Sequence, residues 1–168
     1  MTSNTTPTST TPIAAPSRAL FARVFALWRT LEAALAALQS PAALLARMYV
    51  AQVFFLSGLT KLRDWDTTLA LFADEYHVPL LPTPVAAAMG TAGELVLPVL
   101  LVLGLGGRFA ALGLSVVNVV AVVSLADIAP AALQQHITWG VLLAGLAVFG
   151  TGTWSGDRLL AALRSNQK

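Results

Sequence analysis

The chain has no cysteine among its 168 residues. That excludes a disulfide framework, thiolate metal ligation, a cysteine-held iron–sulfur cluster and covalent c-type haem attachment. Charge is the second scarcity: 11% of residues are Asp, Glu, Lys or Arg, against about 25% in soluble domains. The ten Lys and Arg exceed the eight Asp and Glu by a net +2 and lie scattered, so no basic patch offers a face to nucleic acid. The glycine cluster GLGG (104–107) has no strand before it and no G-x-G-x-x-G pattern, which excludes a dinucleotide loop. Apolar surface takes the place of charge: 57% of residues are hydrophobic and the mean hydropathy is +0.74. This is the composition of a chain solvated by lipid.

The pattern along the chain gives an all-α membrane protein. Residues 1–17 are Ser, Thr and Pro with little to bury and read as a disordered tail. No basic stretch leads into an apolar core with a small-residue cleavage site, as a secretory signal would require. Residues 18–40 place Leu20, Val24, Leu27, Leu31, Leu35 and Leu38 at helical spacing. Arg23 and Arg29 make a span costly there, so an amphipathic helix on the membrane surface is expected; the same pattern also suits a helix packed on a protein partner. A four-helix membrane domain over 41–152 follows, with spans at about 41–62, 84–104, 107–128 and 131–151. Each has about 20 residues, enough to cross about 30 Å of hydrocarbon. Pro41, Pro84 and Pro130 stand at or near helix starts, where a missing N–H costs nothing. A tail at 153–168 closes the chain.

Orientation follows from Lys and Arg. With both termini cytoplasmic, Arg18, Arg23, Arg29, Arg47, Arg108, Arg158, Arg164 and Lys168 lie on or toward the inside, and only Lys61 and Arg63 lie outside. Trp65 and Tyr76 outside and Trp154 inside suit interfacial positions. The outer loop, 63–83, contains a short amphipathic helix with Leu69, Phe72 and Tyr76 on one side, N-capped by Asp66 or Thr67 and ending near Val78-Pro79.

Glu94 sits near the middle of the second span. A charge at that depth costs about 2.5–3.5 kcal/mol on insertion scales and therefore faces the protein interior with a partner. Gln52 and Asn118 fall at similar depth on the first and third spans, and Arg47 starts five residues, or ~7 Å, below. The expected site joins Glu94 to Arg47, Gln52 and Asn118. Pro98 cannot donate to the Glu94 carbonyl and kinks the helix there. Polar side chains that only tie helices together would account for the same residues, but such contacts average about 0.6 kcal/mol, weak grounds for a carboxylate in lipid. Lys61, His77 and His136 fall toward the outer side near Asp74 and Glu75, where a metal site would need ligand spacing that only Asp74 and His77 offer.

The order of short motifs resembles the DoxX family of small four-helix bacterial membrane proteins. These are Arg47 early in the first span, SGLTKL with Gly58 and Lys61, EYHVP (75–79), ELVLP (94–98), LGLGGR with Arg108, and HITWG (136–140). The resemblance spans about residues 42–157 and is nearest the subgroup that accompanies bufferin-type copper-stress operons, although FGTG (149–152) stands where that subgroup often has FGPG. Relatives include the membrane subunit of archaeal thiosulfate:quinone oxidoreductase. The resemblance therefore implies a multi-pass protein of the bacterial inner membrane with a quinone-linked redox role.

On that reading Glu94 is the proton donor, and Arg47, Gln52, Lys61, Asn118 and His136 are the candidate ligand-binding residues. Lys61 or His136 contacts the quinone headgroup. The quinone is a substrate; the chain has no motif for a protein-bound redox cofactor, so electrons come from protein partners of a redox or stress complex. A second reading is a non-enzymatic membrane anchor or assembly factor for a peptide-modification or metal-stress pathway. A third is a small proton-coupled transporter, which with four spans would have to form homo-oligomers.

Overall fold

The computed structural model describes residues 16–78 and 80–165. It contains α1 (Pro16–Arg63), α2 (Trp65–Asp74), α3 (Thr83–Leu103), α4 (Gly107–Ser124), α5 (Pro130–Phe149) and α6 (Gly156–Ser165). Among the described residues there is no strand, only an isolated bridge between Tyr76 and Leu125. Four helices are long and apolar enough to cross a membrane: Leu20–Arg63, Thr83–Leu103, Gly107–Ser124 and Pro130–Phe149. The all-α, four-span architecture expected from the sequence is the one observed. The Ser/Thr/Pro tail lies, but for its last two residues, outside the described residues.

The chain divides into two compact units, Met1–Ala37 and Leu38–Lys168. In the first, every residue from Leu20 to Ala37 is exposed. The helices expected at 18–40 and 41–62 form one element of 48 residues with Pro41 inside it. A proline removes one backbone hydrogen bond and bends a helix without necessarily ending it.

The second unit holds the core. Val50 and Phe54 of α1 meet Leu101 of α3, Ala110, Ala111 and Leu114 of α4, and Leu143 and Leu146 of α5, all nearly or fully buried. Fully buried alanines at 110 and 111 let helix backbones approach closely, which is how membrane helices gain packing without help from water. A smaller cluster under the outer loop joins Phe72 of α2 to Ala86 and Ala87 of α3.

Helix ends follow local chemistry. Pro84 and Pro130 occupy the first turns of α3 and α5. α3 ends on Gly104 at φ 66°, with Leu105 N donating to Leu100 O at 3.0 Å and Gly104 N to Leu101 O at 3.2 Å, so its last carbonyls are not left bare in lipid.

Two expected boundaries move. α2 is N-capped by Asp64, not by Asp66 or Thr67: the chain turns extended there (φ −137°), and the carboxylate accepts from Thr67 N at 3.0 Å and Thr67 Oγ1 at 2.6 Å. It ends at Asp74, four residues short of Val78. α4 stops at Ser124, not 128, because Leu125 turns extended to pair with Tyr76 while His77 N donates to Ser124 O at 2.9 Å. Asp127 is consequently outside the helix. The tail expected at 153–168 contains α6, whose Leu159, Leu160 and Leu163 are exposed.

Candidate ligand site in the membrane domain

Glu94 is 7% exposed and does have a charged partner, but it is Lys61 and not Arg47. Lys61 Nζ lies 2.6 Å from Glu94 Oε2 and also donates to Ser57 Oγ at 2.8 Å. Gly58 makes this possible. A Cβ on Gly58 would stand 2.9 Å from Leu95 Cγ and 3.1 Å from Glu94 Cβ, so only a glycine lets α1 come close enough to α3, three residues before the lysine. Two opposite charges taken out of water together cost less than either alone.

The ion pair lines a cavity of ≈ 360 Å³ bounded by α2, α3, α4 and the loop after α2. That volume is within the range of small-molecule sites, about 300–1,000 Å³. Phe72, Val117 and Val120 give it an apolar wall. Its rim includes Met89, Val116 and Val123, which are 61%, 63% and 60% exposed on the outer faces of α3 and α4. In a bilayer those faces meet acyl chains, so the cavity opens sideways to lipid. The geometry suits an amphiphile, with an apolar part against the valine and phenylalanine walls and a polar head toward Lys61 and Glu94.

Tyr76 also lines this cavity. Burial, and then the negative charges of Glu94 and Glu75, push its phenol above the ordinary value of 10.0. The hydroxyl therefore stays protonated and available as a donor. The Tyr76–Leu125 bridge and the bond from His77 N to Ser124 O fasten the loop to the end of α4, so this wall is fixed by backbone pairing.

The other expected site residues go elsewhere. Arg47 is fully buried and donates from Nη2 to the Trp154 carbonyl at 2.6 Å; its Nε and Nη1 have no partner among the described residues. Gln52 is exposed, in a shallow apolar groove beside Pro98. Asn118 and His136 satisfy each other: Asn118 Nδ2 donates to the His136 carbonyl at 3.0 Å, and His136 Nδ1 lies 2.8 Å from Asn118 Oδ1. Trp139 stands edge-on to the His136 ring at 4.9 Å between centroids. That pair ties α4 to α5, and neither residue lines the Lys61–Glu94 cavity. Among the described residues no group of three or more His, Asp or Glu is placed to hold a metal ion.

Two residues of the site were not singled out from sequence. Ser57 is one helical turn before Lys61, the spacing at which side chains meet. Tyr76 reads as an interfacial anchor, and its second role follows only from the strand-like pairing of the loop.

A family model, DoxX, matches residues 42–127. The match takes in the Lys61–Glu94 pair, α2, α3 and α4, and ends before α5, so HITWG and FGTG lie beyond it. No curated protein matches the chain, and no solved structure matches it.

Proposed function

We propose, from the premise that the chain belongs to the DoxX family of integral membrane proteins, that it serves as a quinone-linked subunit of a redox or stress-response system. The observation that carries this reading is the Lys61–Glu94 pair at the wall of a cavity open to lipid. A quinone is an apolar molecule with two carbonyl oxygens, and its reduction takes up two electrons and two protons to give the quinol. In this site Lys61 donates a hydrogen bond to one carbonyl oxygen and stabilises the negative charge that grows on it. Glu94 takes up a proton from water and passes it to that oxygen, the second proton reaches the other carbonyl oxygen from water, and Tyr76 orients the head as a donor. Both protons come from water at the outer face, relayed one at a time. Both electrons come from a partner redox protein, since the chain's own residues supply none.

The same proposal extends to the bufferin-type subgroup, to the bacterial inner membrane, and to cytoplasmic N- and C-termini. A second reading, a membrane anchor or assembly factor, draws on the exposed Leu20, Phe21, Leu27, Trp28 and Leu31 of α1, which suit a lipid surface or a partner protein. A photoreactive azido-quinone separates the two. With the full chain in lipid nanodiscs, labelling should concentrate on peptides covering residues 86–94 and 116–124, and disappear when excess unlabelled quinone is added. Labelling confined to the groove around Gln52, or not competed by quinone, would count against the quinone site.

A further inference from the structure

A second cavity, of ≈ 350 Å³, lies at the opposite end of α4 from the Lys61–Glu94 site. Its lining differs in kind. Arg108 from the first turn of α4 and Arg158 from α6 contribute two guanidinium groups, and Ser40, Thr153 and Ser155 contribute hydroxyls. The loop between α5 and α6, with Gln39, Phe149 and Asp157, forms the rest.

That loop is held in place from two sides. Arg47 donates to the Trp154 carbonyl at 2.6 Å. Ser40 Oγ accepts from Thr153 N at 3.1 Å and shares a 2.8 Å hydrogen bond with Thr153 Oγ1. The cavity therefore exists before any ligand arrives, which lowers the ordering cost of binding.

The one acidic side chain in the lining is already engaged. Asp157 accepts from Gly106 N at 3.0 Å and Gly107 N at 3.4 Å, so its charge is directed at the start of α4. Arg108 and Arg158 are left with no carboxylate partner among the described residues. Arg108 lies beside Gly150 and makes only a long, 3.4 Å, contact with the Val148 carbonyl. Two unpaired guanidinium groups around hydroxyls suit a tetrahedral oxyanion, because each planar fork matches two oxygens at once. Phe149 and Trp154 at the edge of this end are 74% and 62% exposed, the placement of aromatic side chains at a membrane–water boundary.

We propose that this cavity binds a phosphate group, held between Arg108 and Arg158. The chemistry is shared by the headgroup of an anionic phospholipid and by free phosphate, and the position at the bundle end gives both access.

The test uses the full chain purified into phosphatidylcholine nanodiscs, with melting temperature as readout, since a ligand that binds only the folded state raises it. Phosphatidylglycerol in the disc, or inorganic phosphate in the buffer, should raise the melting temperature saturably. The shift should be lost in Arg108→Gln/Arg158→Gln, with the baseline in phosphatidylcholine alone little changed, because both arginines are exposed. A shift with phosphatidylglycerol only assigns the site to lipid; one with inorganic phosphate only assigns it to the free anion. The single variant Arg158→Gln, on the exposed helix α6, gives the same comparison should the double variant fail to fold. Equal shifts in wild type and variant, or no shift with either probe, would overturn the proposal.

Discussion

Lys61 and Glu94 meet at 2.6 Å with side chains 15% and 10% exposed, so most of their hydration is gone and each depends on the other. Glu94→Gln leaves an ammonium group without its counter-charge; breaking a buried pair in this way costs about 3–5 kcal/mol. The flexible lysine stem can carry its charge toward the outer surface, which moves the expected loss to the low end of that range. Lys61→Met with Glu94→Gln removes both charges and should recover most of the stability, a coupling visible in a double-mutant cycle of thermal unfolding in detergent. The cycle checks the pair itself: if the two single losses simply add in the double variant, Lys61 and Glu94 are not coupled.

Glu94 stands out in the sequence because a carboxylate in an apolar run needs an explanation. Its partner was harder to find, and helical phase is the reason. At about 100° per residue, Lys61 and Gln52 are about 180° apart on α1, whereas Lys61 and Arg47 lie within about 40° of each other. Depth alone groups Gln52 with Glu94; phase places Gln52 on the outer face and Lys61 on the inner one. Arg47 does share the inner face, but its guanidinium reaches the Trp154 carbonyl, a contact made across 107 residues that no local pattern announces.

Among the elements, α2 is the one whose stability most directly shapes the cavity. Phe72 and the loop beyond it form one wall, and the helix starts on the Asp64 cap. An Asp cap satisfies a backbone N–H that the first turn leaves bare, so Asp64→Ala should loosen α2 without unfolding the spans. The Thr67 side chain, and then its backbone N–H, hold the Asp64 carboxyl below its ordinary value of 3.8. The folded-state value being the lower one, the cap's contribution is present above pH 3.8 and is lost as pH falls through the depressed value. Protection factors at the α2 amides, which correct for the slower intrinsic exchange in acid, should therefore fall in wild type as pH drops through the depressed value, and Asp64→Ala should show that lower protection already at neutral pH. Identical exchange in the two proteins at neutral pH would contradict the role given to the cap.

Element existence was legible because span length is set by the bilayer and prolines mark the starts of α3 and α5. Element ends were less so. α4 stops early for a backbone pairing with Tyr76, and α1 passes through Pro41, which reads in the sequence as the start of a separate helix. An apolar helix in lipid gives little sign of either, since the same residues would suit one more turn.

For the whole molecule, the Lys and Arg distribution of eight against two supports an orientation with both termini inside. Reporter fusions after Lys168 and within 66–80 should then report cytoplasm and periplasm respectively. A periplasmic C-terminus would reverse the orientation and put the Lys61–Glu94 end of the bundle on the cytoplasmic side, with its protons drawn from there.

The proposed quinone role requires that the cavity lined by Lys61 and Glu94 select a quinone from lipid, and the most direct measurement is of what the protein carries. Lipid extracted from detergent-purified wild type and from Lys61→Met/Glu94→Gln, analysed by mass spectrometry against the bulk membrane extract, answers this. Quinone should be enriched in the wild type and fall to the bulk level in the double variant, whose folding is verified by its melting temperature. Bulk-level quinone in the wild type, or equal enrichment in the two proteins, would contradict the account.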